Sequence, residues 1–369
     1  MTKVVHLTSV HQAFDIRIFY KECTSLAAAG YKVTLIAQHD NDVSIGGVEI
    51  HAVPKARNQL ERMTRTVIGI CRAALDETAS LYHFHDPELI PIGIFLKLLG
   101  KRVIYDAHEN VPEDILTKDY LPSSWRKWIA GIVGMVEHLG AACFDGVISV
   151  TPTICRRFPR GKTQLIRNFP MAEELIPLSV KPHEHRPHHL LYAGRICLER
   201  GIKEMVQALG LLPNDLEAKL VLAGTFTPQS LSEQVFGMVG ANRIDYRGWL
   251  SRENLRQLLT EARIGLALFL PGPNHTDSYP NKLFEYMAAG IPVIASDFPL
   301  WREIVEKAGC GLLVDSLDPQ AIAQAIQWLL EHPQEASAMG RKGVAAVATE
   351  FNWAKEAENL RQFYARLLA

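Results

Sequence analysis

DSYPNKLFEYMAAGIPVIASD, residues 277–297, is the stretch from which the fold of this chain is read. A loop ending in Pro280 runs into a short amphipathic segment, 281–289, which stops at Gly290 and Pro292 before the apolar run VIAS opens at Val293. Pro280 suits the first position of a helix, where a missing N–H costs nothing. Gly290 suits the left-handed residue that closes one. A capped helix feeding a buried strand is the repeating unit of an α/β domain.

The polar side of the same segment carries chemistry. Asn281, Lys282 and Glu285 fall within one turn of each other, and the free N–H groups of a helix start favour a phosphate through hydrogen bonds and dipole together. If a pyrophosphate rests there, Glu285 reaches the ribose hydroxyls one turn in, and Asp277, eight residues earlier, reaches the group beyond the phosphates. The plainer alternative is a solvated Lys282–Glu285 pair, worth about 0.2–0.5 kcal/mol. The residues of this segment alone leave both readings open.

Outward from this stretch, the second half of the chain repeats the pattern: LLYAGRI, a helix from Glu199, KLVLAG, IDYRGWL, a helix over 252–262, IGLALFL and, after the quoted stretch, GLLVD. The first half alternates in the same way: VVHLTSV, a helix from Asp15 closed by Gly30, KVTLIAQ, VEIHAVP, LYHFHD, a helix closed by Gly100, RVIYDAHE, a long helix over 125–142, GVISVT and TQLIRN. Each half is expected to be a doubly wound parallel sheet with helices on both faces. Between them lies a proline-bearing stretch with KPHEHRPHHL. The expected division is a first domain over 1–169, a linker over 170–189 and a second domain over 190–350. His183, His185, His188 and His189 read as part of a solvated linker, since no carboxylate or cysteine cluster completes a metal shell. The tail, 351–369, is an amphipathic helix with Trp353, Leu360, Phe363 and Leu367 on one stripe.

With 369 residues, 48% hydrophobic and a formal net charge of −1, the chain is long enough for two cores and lacks the basic excess of a nucleic-acid binder. Six cysteines without a C-x-x-C pair read as reduced thiols of a cytoplasmic protein. The N-terminus lacks the apolar core and cleavage site of a secretory signal, and no apolar run reaches the length of a bilayer span. The helix SSWRKWIAGIVGMVEHLG is expected to be an ordinary domain helix, with a place on a membrane surface as the alternative.

Two such domains facing each other would form a cleft at the carboxyl ends of their strands, which is where ligands of open α/β sheets bind. The residues just after strands therefore carry the weight. After LLYAG come Arg195, expected to be buried, and then Arg200 and Gly201 at a helix start. Two cations placed so would stabilise a pyrophosphate leaving group. The alternative is a surface cation paired with Glu199 or Glu204. RVIYDAHEN ends a strand with His108 and Glu109, and LYHFHDPE ends another with His85 and Asp86. The first turn lacks G-x-G-x-x-G, which counts against an ordinary dinucleotide-dependent dehydrogenase. It offers His11, Asp15 and Arg17 as acceptor or phosphate contacts, with a helix cap as the alternative for Asp15. Asp40-Asn41-Asp42 reads as a turn, not as a metal site.

The quoted stretch, together with Gly194 and Arg195, resembles the family 4 retaining glycosyltransferases of the GT-B fold. That family separates two glutamates by seven residues; here the second is Glu285, and Asp277 stands at the first. Its G-R…K-G pattern is matched by Gly194 and Arg195, with Arg200 in place of the lysine. The resemblance covers the whole chain and implies transfer of a sugar, with retention, from a nucleotide diphosphate sugar to a hydroxyl acceptor. Arg195 and Arg200 would hold the phosphates, His108 and Asp277 the sugar, and Gly194, Asn281, Lys282, Leu283 and Glu285 the rest of the donor. His11, Asp15, Arg17, His85 and Asp86 remain for the acceptor side. The resemblance also implies a final helix that crosses back to the first domain. No metal or further cofactor is expected. Cell-surface polysaccharide or glycoconjugate assembly is the implied setting, with a lipid-linked acceptor and a peripheral position at the inner membrane face among the options. A nucleotide-sugar epimerase and a non-catalytic sugar-binding protein stand as alternatives, the latter because of Asp277.

Overall fold

The computed structural model describes residues 1–117, 122–171 and 182–369. They form two compact units, Met1–Asn168 with Trp353–Ala369, and Phe169–Asn352.

The first unit holds the strands β1 Lys3–Gln12, β2 Lys32–Gln38, β3 Val43–Ile45, β4 Val48–Val53, β5 Leu81–Phe84, β6 Arg102–Ala107, β7 Gly146–Ser149 and β8 Thr163–Leu165. Among the described residues they form one sheet in the order β3-β4-β2-β1-β5-β6-β7-β8, parallel except for the β3–β4 hairpin. Residues 4–9 of β1 and all of β5 are buried, the pattern of strands covered on both faces. The order reverses between β1 and β5, where the register sets His6 beside His83. Gly46 and Gly47 turn the β3–β4 hairpin at positive φ. Asp42 Oδ1 accepts from Ala52 N at 2.7 Å and Asp40 pairs with Lys55 at 2.9 Å, so the D-x-D triplet serves the turn.

The closing helix, Trp353–Leu368, belongs to this unit. It buries Trp353, Leu360, Phe363 and Tyr364, and its docking is specific. Trp353 Nε1 donates to Ser25 Oγ at 2.9 Å, and Glu356 accepts from Arg167 Nη1 at 3.1 Å. Gly146 leaves room for Phe363: a Cβ there would come within 2.5 Å of the ring.

The second unit holds β9 His189–Ala193, β10 Lys219–Ala223, β11 Ile244–Gly248, β12 Ile264–Ala267, β13 Val293–Ser296 and β14 Gly311–Val314. Their order among the described residues is β11-β10-β9-β12-β13-β14, parallel throughout, and the switch point lies between β9 and β12. The helix Asn281–Ala288 joins β12 to β13. Pro280, read as its first residue, lies one position earlier in extended conformation at φ −77°, ψ 120°. Gly290 closes the helix at φ +65°, with Gly290 N to Met287 O at 3.1 Å and Ile291 N to Tyr286 O at 3.0 Å.

The solvated linker expected over 170–189 is corrected for part of its length; residues 172–181 lie outside the described residues. His183 and Arg186 are buried. His183 Nε2 meets Arg263 O at 2.9 Å, and Arg186 Nη1 donates to Ala262 O at 2.9 Å. Ala262 ends the helix Arg252–Glu261, so the guanidinium satisfies an orphan carbonyl where a cation is favoured. Burial draws the His183 pKa down to about 4, which keeps the imidazole neutral. The polar composition of this tract hid its packing.

Phe363→Ala removes a fully enclosed ring from the joint between the closing helix and β7. A loss of about 3–5 kcal/mol is expected, read as a lower urea midpoint for the first unit.

Candidate functional site

In the second unit the sequence sets bare backbone against buried charge. β9 ends at Ala193, and Gly194 follows at φ +126°, with its N–H on Ala223 O at 2.8 Å. Gly224 lies directly against it; a Cβ there would stand 1.8 Å from Gly194 O. A Cβ on Gly194 itself would face Lys282 Nζ at 3.6 Å and Arg200 Nη1 at 3.7 Å. Two glycines thus hold an open backbone over two cations.

Lys282 is 5% exposed. Its amino nitrogen stands 3.5 Å from the centre of the Tyr192 ring and 5.2 Å from that of Phe269, and among the described residues it has no hydrogen-bond partner. Arg200 stacks on the other aromatic, its guanidinium carbon 4.7 Å from the Phe269 centre, and its buried Nε is also unpartnered. Burial, and then Arg200, hold Lys282 well below the ordinary lysine value, and Glu285 offsets only part of this. Aromatic faces attract cations by about 0.5–2 kcal/mol, less than the cost of desolvating an ammonium. A doubly charged phosphate at the helix start would compensate both groups.

Tyr286 sets the geometry. Ala193 N donates to its hydroxyl at 3.1 Å, and its ring lies where a Cβ on Gly265 would be, 2.4 Å away. Strand end and helix are therefore locked together, which fixes the rotation that points Lys282 at Gly194. Ser296 Oγ bonds both Phe269 N and Phe269 O at 2.8 Å, holding the second aromatic. Tyr192, Phe269, Tyr286 and Ser296 escaped the sequence reading. Their only signal is position, at or near the ends of strands or on the inner face of the helix.

Several assigned residues sit differently. Arg195, expected to be buried, is exposed, and its carbonyl accepts from Tyr192 Oη at 2.6 Å. The buried cation is Lys282. Leu283 is enclosed in the core and its N–H is taken by Pro280 O at 3.0 Å, so it offers a ligand neither side chain nor amide. Asn281 is exposed at the helix start and Glu285 is half-buried one turn on. Asp277 is exposed, in a loop tied by Trp301 Nε1 to Ser278 O at 2.7 Å.

In the first unit the strand-end residues divide into scaffold and lining. Arg17 is buried and grips Asp106 with Nε and Nη2 at 3.0 and 3.1 Å, and Nη2 also lies 3.0 Å from Glu22. Asp86 is buried and accepts from Thr8 Oγ1 at 2.8 Å and Ser9 N at 2.7 Å. His85, 1% exposed, meets Asp106 through Nδ1 at 3.2 Å and His6 through Nε2 at 2.9 Å. From His6 the chain of bonds passes to Tyr364 Oη at 3.1 Å and on to His83 Nδ1 at 2.8 Å. Buried partners engage all three; His85 and Asp86 nevertheless line the cavity described below, whereas Arg17 is not part of its lining. Asp15 caps the helical segment Ile16–Cys23 through bonds from Arg17 N and Ile18 N at 2.8 and 2.9 Å, as its alternative reading held.

His11 and His108 line the surface above this scaffold. They meet Nε2 to Nε2 at 3.1 Å. Burial, with Arg17 and His11 adding to it, outweighs Asp106 and lowers the His108 pKa. Burial also opposes charge on His11, but Asp15 and Asp86 outweigh it and raise the His11 pKa. The two shifts act in opposite senses, towards a neutral His108 and a charged His11. Both face a cavity of about 650 Å³ rimmed by Arg57, Asn58, Arg62 and Glu109. Its polar wall suits a hydroxylated ligand.

Among the described residues, two groups bring donor atoms close enough for a metal ion: His6, Glu22, His83 and His85; and His85, Asp106 and His108. Hydrogen bonds within the scaffold already engage His6, His83 and His85 in the first group and His85 and Asp106 in the second.

Two family models match the chain, "Glycosyl transferase 4-like domain" over residues 17–166 and "Glycosyl transferases group 1" over 187–332. The D-rhamnosyltransferase WbpZ of Pseudomonas aeruginosa is 24% identical over 348 residues, covering 89% of this chain and 86% of that protein. Among solved structures, sucrose-phosphate synthase from Thermosynechococcus elongatus superposes with a TM-score of 0.77 at 21% identity, over 100% of this chain and 99% of that one. HepE from Anabaena in complex with UDP-glucose superposes with a TM-score of 0.70 at 14% identity, over 99% and 100%.

Lys282→Met replaces a buried amine whose charge burial disfavours with an apolar group of similar length. The unliganded protein is expected to gain about 1–4 kcal/mol, and thermal stabilisation by inorganic pyrophosphate is expected to vanish. The lowered pKa adds a linkage. Between that value and 10.5 the folded protein carries fewer protons than the unfolded one, so this group's contribution to stability rises with pH across the window. A bound anion restores the charge. Pyrophosphate binding should therefore take up protons and weaken as pH rises, seen by calorimetry in buffers of different ionisation enthalpy.

Proposed function

The chain belongs to the family 4 glycosyltransferases of the GT-B fold, and from that membership we propose that it transfers a sugar from a nucleoside diphosphate sugar to a hydroxyl acceptor with retention of anomeric configuration. One observation carries the donor assignment: Lys282, buried and unpartnered beside Arg200, under the open backbone of Gly194 at a helix start. A nucleoside diphosphate leaving group matches that charge. The D-rhamnosyltransferase among the relatives and the UDP-glucose complex among the structural neighbours support a nucleotide sugar as donor.

In this reading the bond from the anomeric carbon to the diphosphate oxygen breaks, and the bond to the acceptor oxygen forms on the same face of the sugar. The acceptor's proton passes to the departing phosphate. No protein nucleophile is required. Arg200 and Lys282 hold the charge that grows on the leaving group, which is where fixed donors lower a barrier most. Exposed Arg195 adds a third cation at the lip. Glu285, one turn into the helix, takes the ribose hydroxyls. His108 and Asp277 are assigned to sugar hydroxyls and His11 to the acceptor, the neutral His108 serving as a hydrogen-bond partner. Side chains supply the phosphate charge, so we assign the chemistry no metal and no further cofactor. Free cysteines suit a reducing cytoplasm, and cell-surface polysaccharide or glycoconjugate assembly is the proposed setting.

Arg200→Ala should lower turnover by about 10²–10³-fold, the scale of one preorganised donor, as measured by release of nucleoside diphosphate from a donor and acceptor panel. Turnover within a few-fold of wild type would remove Arg200 from the leaving-group role. NMR of the product should show the anomeric configuration of the donor; the opposite configuration would rule out retention.

A further inference from the structure

The sheet of the first unit carries three histidines on a face where its covering favours apolar side chains. β1 and β5 are strands buried on both faces, which ordinarily selects apolar residues throughout. Yet the register sets His6 beside His83, and His85, two residues on, shares the face of His83. The three rings crowd together, their centres 4.5–5.2 Å apart. Glu22, from the helical segment Ile16–Cys23, is turned onto them, its Oε2 3.9 Å from His83 Nδ1 and 4.0 Å from His85 Nε2. None of the four is more than 1% exposed. Each offers one donor atom, and these atoms lie within 4.8 Å of one another.

Hydrogen bonds leave this group incomplete. His6 Nδ1 meets His85 Nε2, and Tyr364 Oη bridges His6 Nε2 and His83 Nδ1. Among the described residues, His83 Nε2 and both oxygens of Glu22 are buried without a hydrogen-bond partner, a costly state for polar atoms. Charge is incomplete as well. Arg17 bonds Asp106 twice and pairs with Glu22 at 3.0 Å, so one guanidinium serves two buried carboxylates. A divalent cation among the imidazoles would supply both the missing bonds and the missing charge.

The surroundings fit such an ion. A four-coordinate zinc with bonds of about 2.0–2.2 Å to nitrogen and oxygen sets its ligand atoms about 3.3 Å apart. The 2.9 Å between His6 Nδ1 and His85 Nε2 and the 3.9 and 4.0 Å from Glu22 to His83 and His85 bracket that spacing. Imidazoles on a metal give one nitrogen to the ion and the other to a carboxylate or a further polar group. His85 Nδ1 has Asp106 at 3.2 Å, and His6 Nε2 has Tyr364 at 3.1 Å. Imidazole nitrogen with one carboxylate is a donor set for zinc, whereas calcium and magnesium take oxygen.

We propose that His6, His83, His85 and Glu22 form a closed zinc site. The ion replaces the His6–His85 hydrogen bond with two bonds to metal, and through Tyr364 it ties the closing helix to β1 and β5. Protein fills all four positions, so the ion is structural and no step of the sugar transfer passes through it. Enclosure means that it enters as the unit folds.

The test is zinc analysis of the full chain, made without a polyhistidine tag and dialysed against a chelator, both as purified and after refolding from urea with zinc. About one zinc per chain is expected in at least the refolded protein. X-ray absorption at the zinc edge should show only nitrogen and oxygen, at about 2.0–2.2 Å, with the outer scattering of three imidazoles. Glu22→Gln removes the charge at constant shape and should lower retained zinc ~10-fold or more, and Tyr364→Phe should weaken zinc ~10–100-fold in chelator competition. The His185→Gln, His188→Gln pair in the second unit should keep the wild-type zinc content. No zinc in either preparation, a sulfur neighbour at about 2.3 Å, loss of zinc from the His185 and His188 pair, or unchanged zinc in Tyr364→Phe would overturn the proposal. If Glu22→Gln does not fold, the wild-type spectrum and Tyr364→Phe decide.

Discussion

An ammonium enclosed without a hydrogen-bond partner is the constraint around which the second unit is organised. Lys282 lies between two aromatic rings with a guanidinium as its neighbour. Such an arrangement costs stability in the free protein and is tolerated only where surrounding structure enforces it. Enforcement is visible on each side. Tyr286 bolts the helix to the end of β9, Ser296 pins Phe269 through both its backbone groups, and Gly224 lets Gly194 approach closely enough to leave the cations uncovered. A ligand with two negative charges gains from a site that is already assembled, since no reorganisation is left to oppose binding.

The first unit handles charge by the opposite method. Arg17, Asp106, Glu22 and Asp86 are sealed in, and almost every polar atom of the arginine and aspartates meets another. Burial pushes the Asp106 carboxyl up, but Arg17 and then His85 outweigh it and leave Asp106 well below the usual range. Glu22, for which burial dominates, is held well above it. The result is a rigid polar floor beneath His11 and His108. The pKa values of those two rings are shifted in opposite directions because Asp15 and Asp86 face one while burial and Arg17 act on the other. Tyr364, from the end of the chain, closes the same network, so the closing helix contributes to the floor as well as to the core.

Much of this was legible in the sequence. Alternation of apolar runs with capped helical stretches indicates parallel sheets because strands buried on both faces need apolar side chains throughout, and glycines such as Gly290 and Gly30 mark helix ends by the conformation they permit. Lys282 and Glu285 were found by helical spacing, and Gly194 by its place after a strand. Asp42 was recognised as turn chemistry from the glycines beside it. The misassignments share a cause. Arg195 follows an apolar strand yet is exposed, Leu283 lies among ligand candidates yet is core, and Arg186 lies in a polar tract yet is buried. In each case the neighbours in sequence are not the neighbours in space.

Local physics determined the elements of this protein from its sequence: which runs become strands, where helices start and stop, and which cations and acids stand at strand ends. These depend on backbone preferences and on periodicities of two and 3.6 residues, which adjacent residues define. Only the tertiary structure decided which of those charges are paired and which are stranded. Arg17 meets Asp106 across 89 residues of chain, whereas Lys282 meets two rings and another cation. Burial and pairing set the value of a charge, and both are properties of the folded arrangement.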